Sequence, residues 1–264
     1  MDKDLIFEME NLSFHYGRTR AVDNLALTLS SGCFWGLLGP NGCGKSTLLD
    51  LMARCKTPQA GLIKYRGKEM RHYGGKELAK EIALVPQDFY VNFPFTVEEI
   101  LLMGRHPYIP RFASPSSDDL QIVDQVMEVL KIAKFRHNYI TELSGGEKQR
   151  VIFARALAQD TPVVLLDEAT SNMDIRHTLD ILEIVAGDVE TGGKTVIAAL
   201  HNLNLAATYC DKLVFMKSGR VVSRGDRDQV LTEETLYEVF GIESRVYFDE
   251  YVGSRQVAFR RRRP

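Results

Sequence analysis

Residues 39–47 have the types and the spacing that can hold a phosphate group. They match the pattern G-x-x-x-x-G-K-[S/T] and run Gly39, Pro40, Asn41, Gly42, Cys43, Gly44, Lys45, Ser46 and Thr47. Glycines let backbone N–H groups turn towards one anion. The lysine supplies a charge for the β- and γ-phosphates, and the Ser46 hydroxyl is a ligand for Mg²⁺. The segment predicts a nucleotide site, against the alternative of a glycine turn with an incidental lysine.

The elements on either side of this phosphate loop (residues 39–47) support the first interpretation. Residues 34–38 form a short apolar run that is typical of a buried parallel strand, and residues 46–54 have a helical pattern. The order strand, glycine loop, helix places the positive end of a helix dipole at the anion.

Two carboxylates follow a second apolar run. Residues 163–166 are Val-Val-Leu-Leu, and Asp167 and Glu168 come directly after them. Open α/β sheets bind ligands at the C-terminal ends of their strands. We therefore expect Asp167 to hold Mg²⁺ through water and Glu168 to polarise the water that attacks the γ-phosphate. Without the phosphate loop, the two acids fit a helix N-cap equally well.

A second glycine-containing helix start lies between these two segments. Its residues are Leu143, Ser144, Gly145, Gly146 and Glu147. Ser144 with Glu147 three residues later fits a capping box, and a serine with two glycines at a helix start also fits a second phosphate-binding terminus. One ATP cannot easily use two such sites from one chain. The chemistry favours a head-to-tail pair, with each ATP held between the phosphate loop of one copy and Ser144 to Gly146 of the other.

Strand and helix patterns alternate along most of the chain. Strands are predicted at 5–14, 25–29, 34–38, 82–85, 163–166, 195–200 and 213–216, and helices at 46–54, 118–131, 147–159, 175–187, 228–231 and 233–240. The alternation predicts an α/β fold with a mostly parallel core sheet. Residues 88–142 contain several prolines and one helical stretch, and they predict an inserted, mainly helical unit.

Composition narrows the class of protein. The 264 residues are 45% hydrophobic and 26% charged with a net charge of −2, which is ordinary for a globular chain and gives no electrostatic case for nucleic-acid binding. The four cysteines show no metal-ligand spacing, and we expect reduced thiols. The sequence has no apolar run of about 18 residues, so we expect no membrane span. It does not open with positive charges followed by a long apolar run, so we expect no signal peptide. The tail, Arg260 to Arg263, fits either a solvated end or a contact with phospholipid or nucleic acid.

Together these elements resemble the nucleotide-binding domain of ABC transporters over essentially the whole chain. The resemblance implies a P-loop ABC ATPase fold with an antiparallel N-terminal β part and an inserted helical subdomain. It implies that Tyr16 stacks on adenine and that Gln87, the Q-loop glutamine, senses Mg²⁺ and the attacking water. It makes residues 143–147 the signature, Asp167 and Glu168 the Walker B acids, residues 171–174 with Asp174 the D-loop, and His201 the switch histidine at the γ-phosphate. Cofactors implied are ATP and Mg²⁺.

Several of these residues are ambiguous when taken singly. Gln87 alone fits a polar loop residue, His201 a structural hydrogen bonder and Tyr16 a packing residue; their order along the chain gives them weight. Two positions depart from the family pattern: Ala169 replaces the proline common after the Walker B glutamate, and Met173 replaces the usual D-loop leucine. Neither change removes a catalytic group.

Three further segments resemble the ATPases of iron-siderophore, haem and cobalamin importers. They are the run M-G-R-x-P-Y at 103–108, His201 to Ala207, and residues 236–241; the alternative for the first is a generic helix end before a proline. The resemblance implies a homodimer of ATPase subunits, a separate membrane permease and, indirectly, a periplasmic or surface substrate-binding protein. It implies a peripheral position at the cytoplasmic face of the cell membrane. The segment near the Q-loop is expected to be partly exposed, and its apolar residues are candidates either for the permease groove or for the small helical core: Phe89, Tyr90, Phe93, Phe95 and Met103.

The same resemblance divides the chain. We expect residues 1–87 and 157–225 to form the nucleotide-binding core, residues 88–156 the helical subdomain with the signature, and residues 226–264 a short C-terminal extension. Other functions stay open: an ATPase of a metal-ion transporter or exporter, a soluble ABC ATPase in DNA repair or translation, and a module that holds ATP without hydrolysing it. The last is disfavoured by the presence of Glu168 and His201.

Overall fold

A computed structural model describes residues 5–87, 93–169 and 173–260. The chain divides into two compact units: unit one comprises Met1–His72 and Ala186–Pro264, and unit two comprises Tyr73–Val185. Each unit is described separately below.

Unit one begins with a β part and a short helix. Its first elements are β1 (Leu5–Tyr16), β2 (Thr19–Ser30), β3 (Phe34–Leu38), α1 (Lys45–Met52), β4 (Ala60–Tyr65) and β5 (Lys68–Glu69). The strands β2, β1, β4 and β5 pair in that order, all antiparallel. β1 and β4 bury one apolar face, where the rings of Phe7 and Tyr65 pack with centroids 5.3 Å apart. The antiparallel N-terminal part expected from the resemblance is present.

Unit two contains the following elements in chain order: α2 (Gly75–Leu78), β6 (Ile82–Val85), α3 (Val97–Arg105), α4 (Ser117–Val129), α5 (Gly145–Ala158) and β7 (Val163–Asp167). β6 and β7 pair in parallel. The three longer helices pack through fully buried apolar side chains such as Ile100, Val123 and Phe153. The helical character predicted for this part of the chain is confirmed.

The chain returns to unit one along α6 (Ile175–Gly192). The remaining elements are β8 (Thr195–Ala199), α7 (Leu203–Tyr209), β9 (Lys212–Lys217), β10 (Arg220–Asp226), α8 (Arg227–Val230), α9 (Glu233–Phe240), β11 (Ser244–Asp249) and β12 (Ser254–Phe259). Within this unit β3 pairs in parallel with both β8 and β9, and β10 is antiparallel to β9. Every residue of β3 and β8 is buried, which explains their continuous apolar sequences. The mostly parallel character of the core strands is as predicted.

The hairpin β11–β12 is an element that the sequence pattern did not predict. Its strand β12 packs on α7 through Asn204, whose side-chain oxygen accepts the Val257 N–H at 2.7 Å. Arg260 is exposed, and Arg261 to Arg263 lie outside the described residues. Among residues 5–87, 93–169 and 173–260, none of the helices combines the length and the hydrophobicity of a membrane-spanning segment.

Candidate nucleotide-binding and catalytic segments

The phosphate loop connects β3 to α1 in unit one. Backbone bonds fix it: the Gly219 N–H donates to the Cys43 carbonyl at 2.9 Å, and the Cys43 N–H donates to the Pro40 carbonyl at 3.2 Å. A Cβ added at Gly44 would lie 2.1 Å from the Ala21 carbonyl oxygen, and Gly44 has a φ of +108°. Only glycine fits that position, so the loop shape is set by the fold around it.

The N-terminus of α1 is arranged to receive an anion. Gly44 is its N-cap and supplies no side-chain cap, so no side chain of the cap satisfies the first N–H groups of the helix. Lys45 is only 4% exposed, and among the described residues its ammonium donates hydrogen bonds to the carbonyls of Gly39 at 2.9 Å and Pro40 at 3.4 Å. Both acceptors are neutral carbonyls, and no ion pair of Lys45 is found among residues 5–87, 93–169 and 173–260.

The other predicted residues of the phosphate loop differ in exposure. Ser46 and Pro40 are half-buried, Thr47 is buried, and Asn41 and Gly42 are exposed. The loop therefore presents an accessible rim around a buried lysine.

Tyr16 ends β1 and is 50% exposed. The edge of its ring packs on Phe14, with centroids 5.0 Å apart, and the Lys56 ammonium lies 5.7 Å from the ring centre. The ring thus makes packing contacts, while half of the residue's surface is exposed.

His201 is exposed in the bend between β8 and α7. The next residue, Asn202, caps α7, since its side-chain oxygen accepts the N–H groups of Asn204 at 2.9 Å and Leu205 at 3.2 Å. The cap fixes where α7 begins, and His201 lies directly before the cap residue.

The Walker B acids lie in unit two at the end of β7. Asp167, the last strand residue, is only 8% exposed, while Glu168 is half-buried and has a left-handed φ of +48°. In the parallel ladder Val85 is paired with Leu166. Gln87, which is exposed, and Glu168 each come two residues after that pair, so the structure brings the Q-loop and the acids to the same end of two neighbouring strands.

The signature opens α5 in unit two, and its serine makes the predicted capping box. The Ser144 hydroxyl accepts the Glu147 N–H at 3.4 Å, and the Glu147 carboxylate accepts both the Ser144 N–H and its hydroxyl. Hydrogen bonds from Ser144 hold the pKa of Glu147 below its usual value. A Cβ at Gly145 or Gly146 would meet no atom of the described residues within 4 Å, so packing against that part of the chain does not require these glycines.

Asp174 precedes α6 and is exposed. Its carboxylate accepts the His177 N–H at 2.9 Å and contacts His177 Nδ1 at 2.8 Å, and these bonds lower the pKa of Asp174. Ser171 and Asn172, the other D-loop residues singled out by sequence, lie outside the described residues, as do Phe89 and Tyr90.

The M-G-R-x-P-Y run has a structural role that the sequence did not reveal. Gly104 lets α3 approach α5, since a Cβ there would lie 2.3 Å from the Arg155 carbonyl oxygen. Arg105 is buried, with Nε 2.9 Å from Asp119 and a second bond from its guanidinium to the Ala158 carbonyl at 2.8 Å. The Tyr108 ring lies 4.0 Å from that guanidinium. The motif ties α3, α4 and the end of α5 together.

Known proteins resemble this chain at the level of sequence. The ABC transporter family model matches residues 22–171. The ferric enterobactin transport ATP-binding protein FepC of Escherichia coli is 34% identical over 93% of this chain and 90% of its own length. The hemin import ATP-binding protein HmuV of Bradyrhizobium diazoefficiens is 38% identical over 92% of this chain and 91% of its own length.

The cobalamin import ATP-binding protein BtuD of Halobacterium salinarum is a longer relative. It is 39% identical over 95% of this chain, and the chain spans 62% of the length of that protein.

Solved structures share the fold. A transporter described as of the metal-chelate ABC type, in an inward-facing conformation, aligns with a TM-score of 0.82 and 30% identity over 97% of this chain and 96% of the other. The cassette MJ0796, solved as a dimer bound to ADP and Pi, aligns with a TM-score of 0.74 and 25% identity over 84% of this chain and 99% of the other. With a family model over more than half of its residues and relatives aligned over nearly their full length, the chain belongs to the ABC transporter family.

Proposed function

We propose that this chain binds and hydrolyses ATP as the nucleotide-binding subunit that drives a separate membrane permease. The cargo is an iron chelate, such as a siderophore or haem, or cobalamin. The observation that carries the ATP site is the buried Lys45 ammonium, whose described hydrogen bonds all go to neutral carbonyls. A triphosphate at the start of α1 would place negative charge beside this ammonium. The relatives named for ferric enterobactin, hemin and cobalamin import support the cargo class.

The proposed ATP contacts begin at the adenine, which stacks on the open side of Tyr16. The phosphates bind the N–H groups of residues 39–47 and the Lys45 ammonium. Thr47, buried one position after Ser46, extends the same helix start. The support is the match of the loop to the phosphate-binding pattern and the N-terminus of α1, whose cap residue Gly44 provides no side-chain hydrogen bond.

Mg²⁺ fits the donor set that the chain offers. The candidate ligands are the Ser46 hydroxyl, the Asp167 carboxylate and the Gln87 side chain, all with the hard oxygen atoms that this cation prefers. The position of Asp167 at the C-terminal end of β7 supports the fit, because open α/β sheets bind their ligands at that end of their strands. When bound, the cation neutralises part of the charge on the phosphate oxygens.

Hydrolysis is assigned to Glu168 as the group that polarises the attacking water. His201 contacts the γ-phosphate and Gln87 helps to place the water, as in the family that the sequence resembles. The half-buried position and left-handed backbone of Glu168 support this role, since such strain is common at functional sites.

The signature binds the ATP of a second copy. Ser144, Gly145, Gly146 and Glu147 are the proposed contacts in trans, together with Asp174. Support comes from the open space at Gly145 and Gly146: the chain itself does not need a glycine there, but an approaching phosphate does. Ser144 then exchanges its hydrogen bond with Glu147 for one with the phosphate.

The permease docks on the helical part of unit two. Phe93 is 69% exposed, and its ring lies 6.2 Å from that of the partly exposed Phe95. Met103 on α3 is also exposed. Aromatic and methionine side chains are enriched in the centre of interfaces. We propose that the chain sits peripherally at the cytoplasmic face, with residues 1–87 and 157–225 as nucleotide-binding core, 88–156 as helical subdomain and 226–264 as extension.

The experiment is reconstitution of the chain with its co-purifying permease in lipid vesicles, with the substrate-binding protein of the system. We expect ATP hydrolysis to rise when a ferric siderophore, haem or cobalamin is supplied and to be absent in Glu168→Gln. Hydrolysis that responds only to a free metal ion or to an exported compound would contradict the cargo assignment. Failure of the chain to associate with any membrane protein would contradict the transport role.

A further inference from the structure

Among the buried residues of α5, Gln149 is polar and the others are apolar. The others are Val151, Ile152, Phe153, Ala154, Ala156, Leu157 and Ala158. Its side-chain amide donates a hydrogen bond from Nε2 to the carbonyl oxygen of Ala169 at 3.0 Å. Both groups lie in unit two and are buried. Removing the Gln149 amide would deprive the buried Ala169 carbonyl of this hydrogen bond.

The acceptor belongs to the backbone turn that follows β7. β7 ends at Asp167 and the last pair of its ladder with β6 is Val85 with Leu166. Residues 168 and 169 therefore lie beyond the sheet. Glu168 takes a left-handed φ of +48°, which costs a non-glycine residue about 1–2 kcal/mol and persists only where the surroundings fix it.

Ala169 makes that turn more dependent on its neighbours. A proline ring would fix φ at this position, but alanine leaves it free to rotate. The bond from Gln149 fixes the carbonyl of Ala169 and so limits the rotation of the backbone directly after Glu168.

We infer that Gln149 is a positioning residue that holds the carboxylate of Glu168 in its hydrolytic orientation through the Ala169 carbonyl. The inference rests on the proposed ATPase function and adds a role for a buried residue outside the proposed nucleotide contacts. Gln149 lies five residues after Ser144, about 7.5 Å along the helix axis. The bond thus joins the helix that carries the signature to the turn that carries the catalytic base.

Gln159 supplies a matched control at the C-cap of the same helix. It directly follows α5, and its Nε2 donates to the carbonyls of Ala79 at 2.6 Å and Ile82 at 3.0 Å. Residue type and kind of bond are the same as for Gln149. The carbonyls that it binds belong to a turn and a strand start far along the chain from Glu168.

The first test measures ATP hydrolysis by the full chain carrying Gln149→Met or Gln159→Met. Methionine has a similar length but no donor. We expect Gln149→Met to lower kcat by about 10- to 100-fold with the KM for ATP within about 2-fold, because a displaced base affects the chemical step and not ground-state binding. Gln159→Met should lower the melting temperature similarly but keep kcat. An unchanged kcat in Gln149→Met, or an equal loss in both variants, overturns the inference.

A second variant keeps the test valid if Gln149→Met fails to fold. In Gln149→Glu the ionised carboxylate faces a carbonyl oxygen and cannot donate, whereas the protonated acid can. Burial raises the pKa of a carboxyl group, so kcat relative to the parent chain should recover as the pH is lowered from 8 to 6. A ratio that does not change with pH overturns the inference.

The controls separate this inference from the ATPase proposal. If the parent chain hydrolyses ATP and Glu168→Gln does not, full activity of Gln149→Met refutes the positioning role alone. If the parent chain hydrolyses no ATP, both fail.

Discussion

The ammonium of Lys45 lies 2.9 Å from the carbonyl oxygen of Gly39, the residue that opens its own loop. The lysine thus folds back onto the loop and is buried there. A phosphate bound at the start of α1 offers a better partner than a neutral carbonyl. The side chain therefore stands beside the place where the proposed anion binds.

Replacing Lys45 by alanine should weaken nucleotide binding without lowering the stability of the fold. Loss of a buried charge partner is expected to weaken ATP binding by about 2–4 kcal/mol, or roughly 30- to 1,000-fold in Kd. Stability without nucleotide should hold or rise, since an uncompensated buried charge is removed. Isothermal titration and thermal melting with and without ATP measure the two effects. Lys64→Ala, which removes a surface lysine paired with Glu10, is the control; equal Kd values for Lys45→Ala and the parent would refute the assignment.

Two glycines of the loop should respond differently to alanine. At Gly44 the new Cβ meets the Ala21 carbonyl at 2.1 Å, whereas at Gly42, with a φ of +74°, it meets nothing within 4 Å. Gly42→Ala should cost only the left-handed strain of about 1–2 kcal/mol, and Gly44→Ala a further 1–3 kcal/mol, roughly, for overpacking. Urea denaturation gives the free energies of unfolding. Equal losses at both positions would contradict the loop geometry.

Removing one partner of the Arg105–Asp119 pair should be strongly destabilising. Asp119→Asn leaves a buried guanidinium without its carboxylate, and the expected loss is about 3–5 kcal/mol. Asp124→Asn, on the same helix and in an exposed pair with Arg136, should lose at most about 1 kcal/mol. Urea denaturation compares the two; a similar small loss in both variants would argue against the buried pair.

The Asp119 carboxylate should also contribute to the pH dependence of the free energy of unfolding. Burial disfavours ionised Asp119, but hydrogen bonds from Ser116 and Arg105 outweigh this effect and place its pKa below 3.8. The stabilisation from ionised Asp119 is then complete above the unfolded value near pH ~3.9 and is lost as the pH falls through the folded pKa. The difference in unfolding free energy between the parent and Asp119→Asn should shrink below about pH 4. A difference that is constant from pH 6 to 3 would exclude this origin.

Sequence predicted best where local chemistry decides the structure. The bounds of β3, β6 and α9 follow directly from apolar runs and turn residues, and the phosphate loop and the capping box of Ser144 follow from residue types at fixed spacing. In each case the interacting residues lie within a few positions of one another, or the strand is buried on both faces and its sequence is therefore continuously apolar.

Long-range partners explain what sequence did not predict. The bond of Arg105 to Asp119 spans 14 residues, that of Gln149 to Ala169 spans 20, and that of Val257 to Asn204 spans 53. The hydrophobic periodicity of a sequence does not indicate which distant carbonyl or carboxylate a side chain will contact. The C-terminal hairpin was missed for this reason: exposed aromatics such as Phe248 and Tyr251 and two arginines obscure its alternating pattern, and Asn204 on α7 fixes its place.

The shared nucleotide site is tested most directly by the mass of the Glu168→Gln chain in ATP and Mg²⁺, measured by light scattering. The chain should double its mass on adding ATP. Adding Gly146→Leu should keep the fold, since the position is open within one chain, but abolish doubling because the side chain blocks the partner's phosphates. Gly187→Leu, at an equally open helical glycine, should leave doubling intact. A chain that stays single with ATP, with or without its permease, or that pairs as well with Gly146→Leu, would contradict the account.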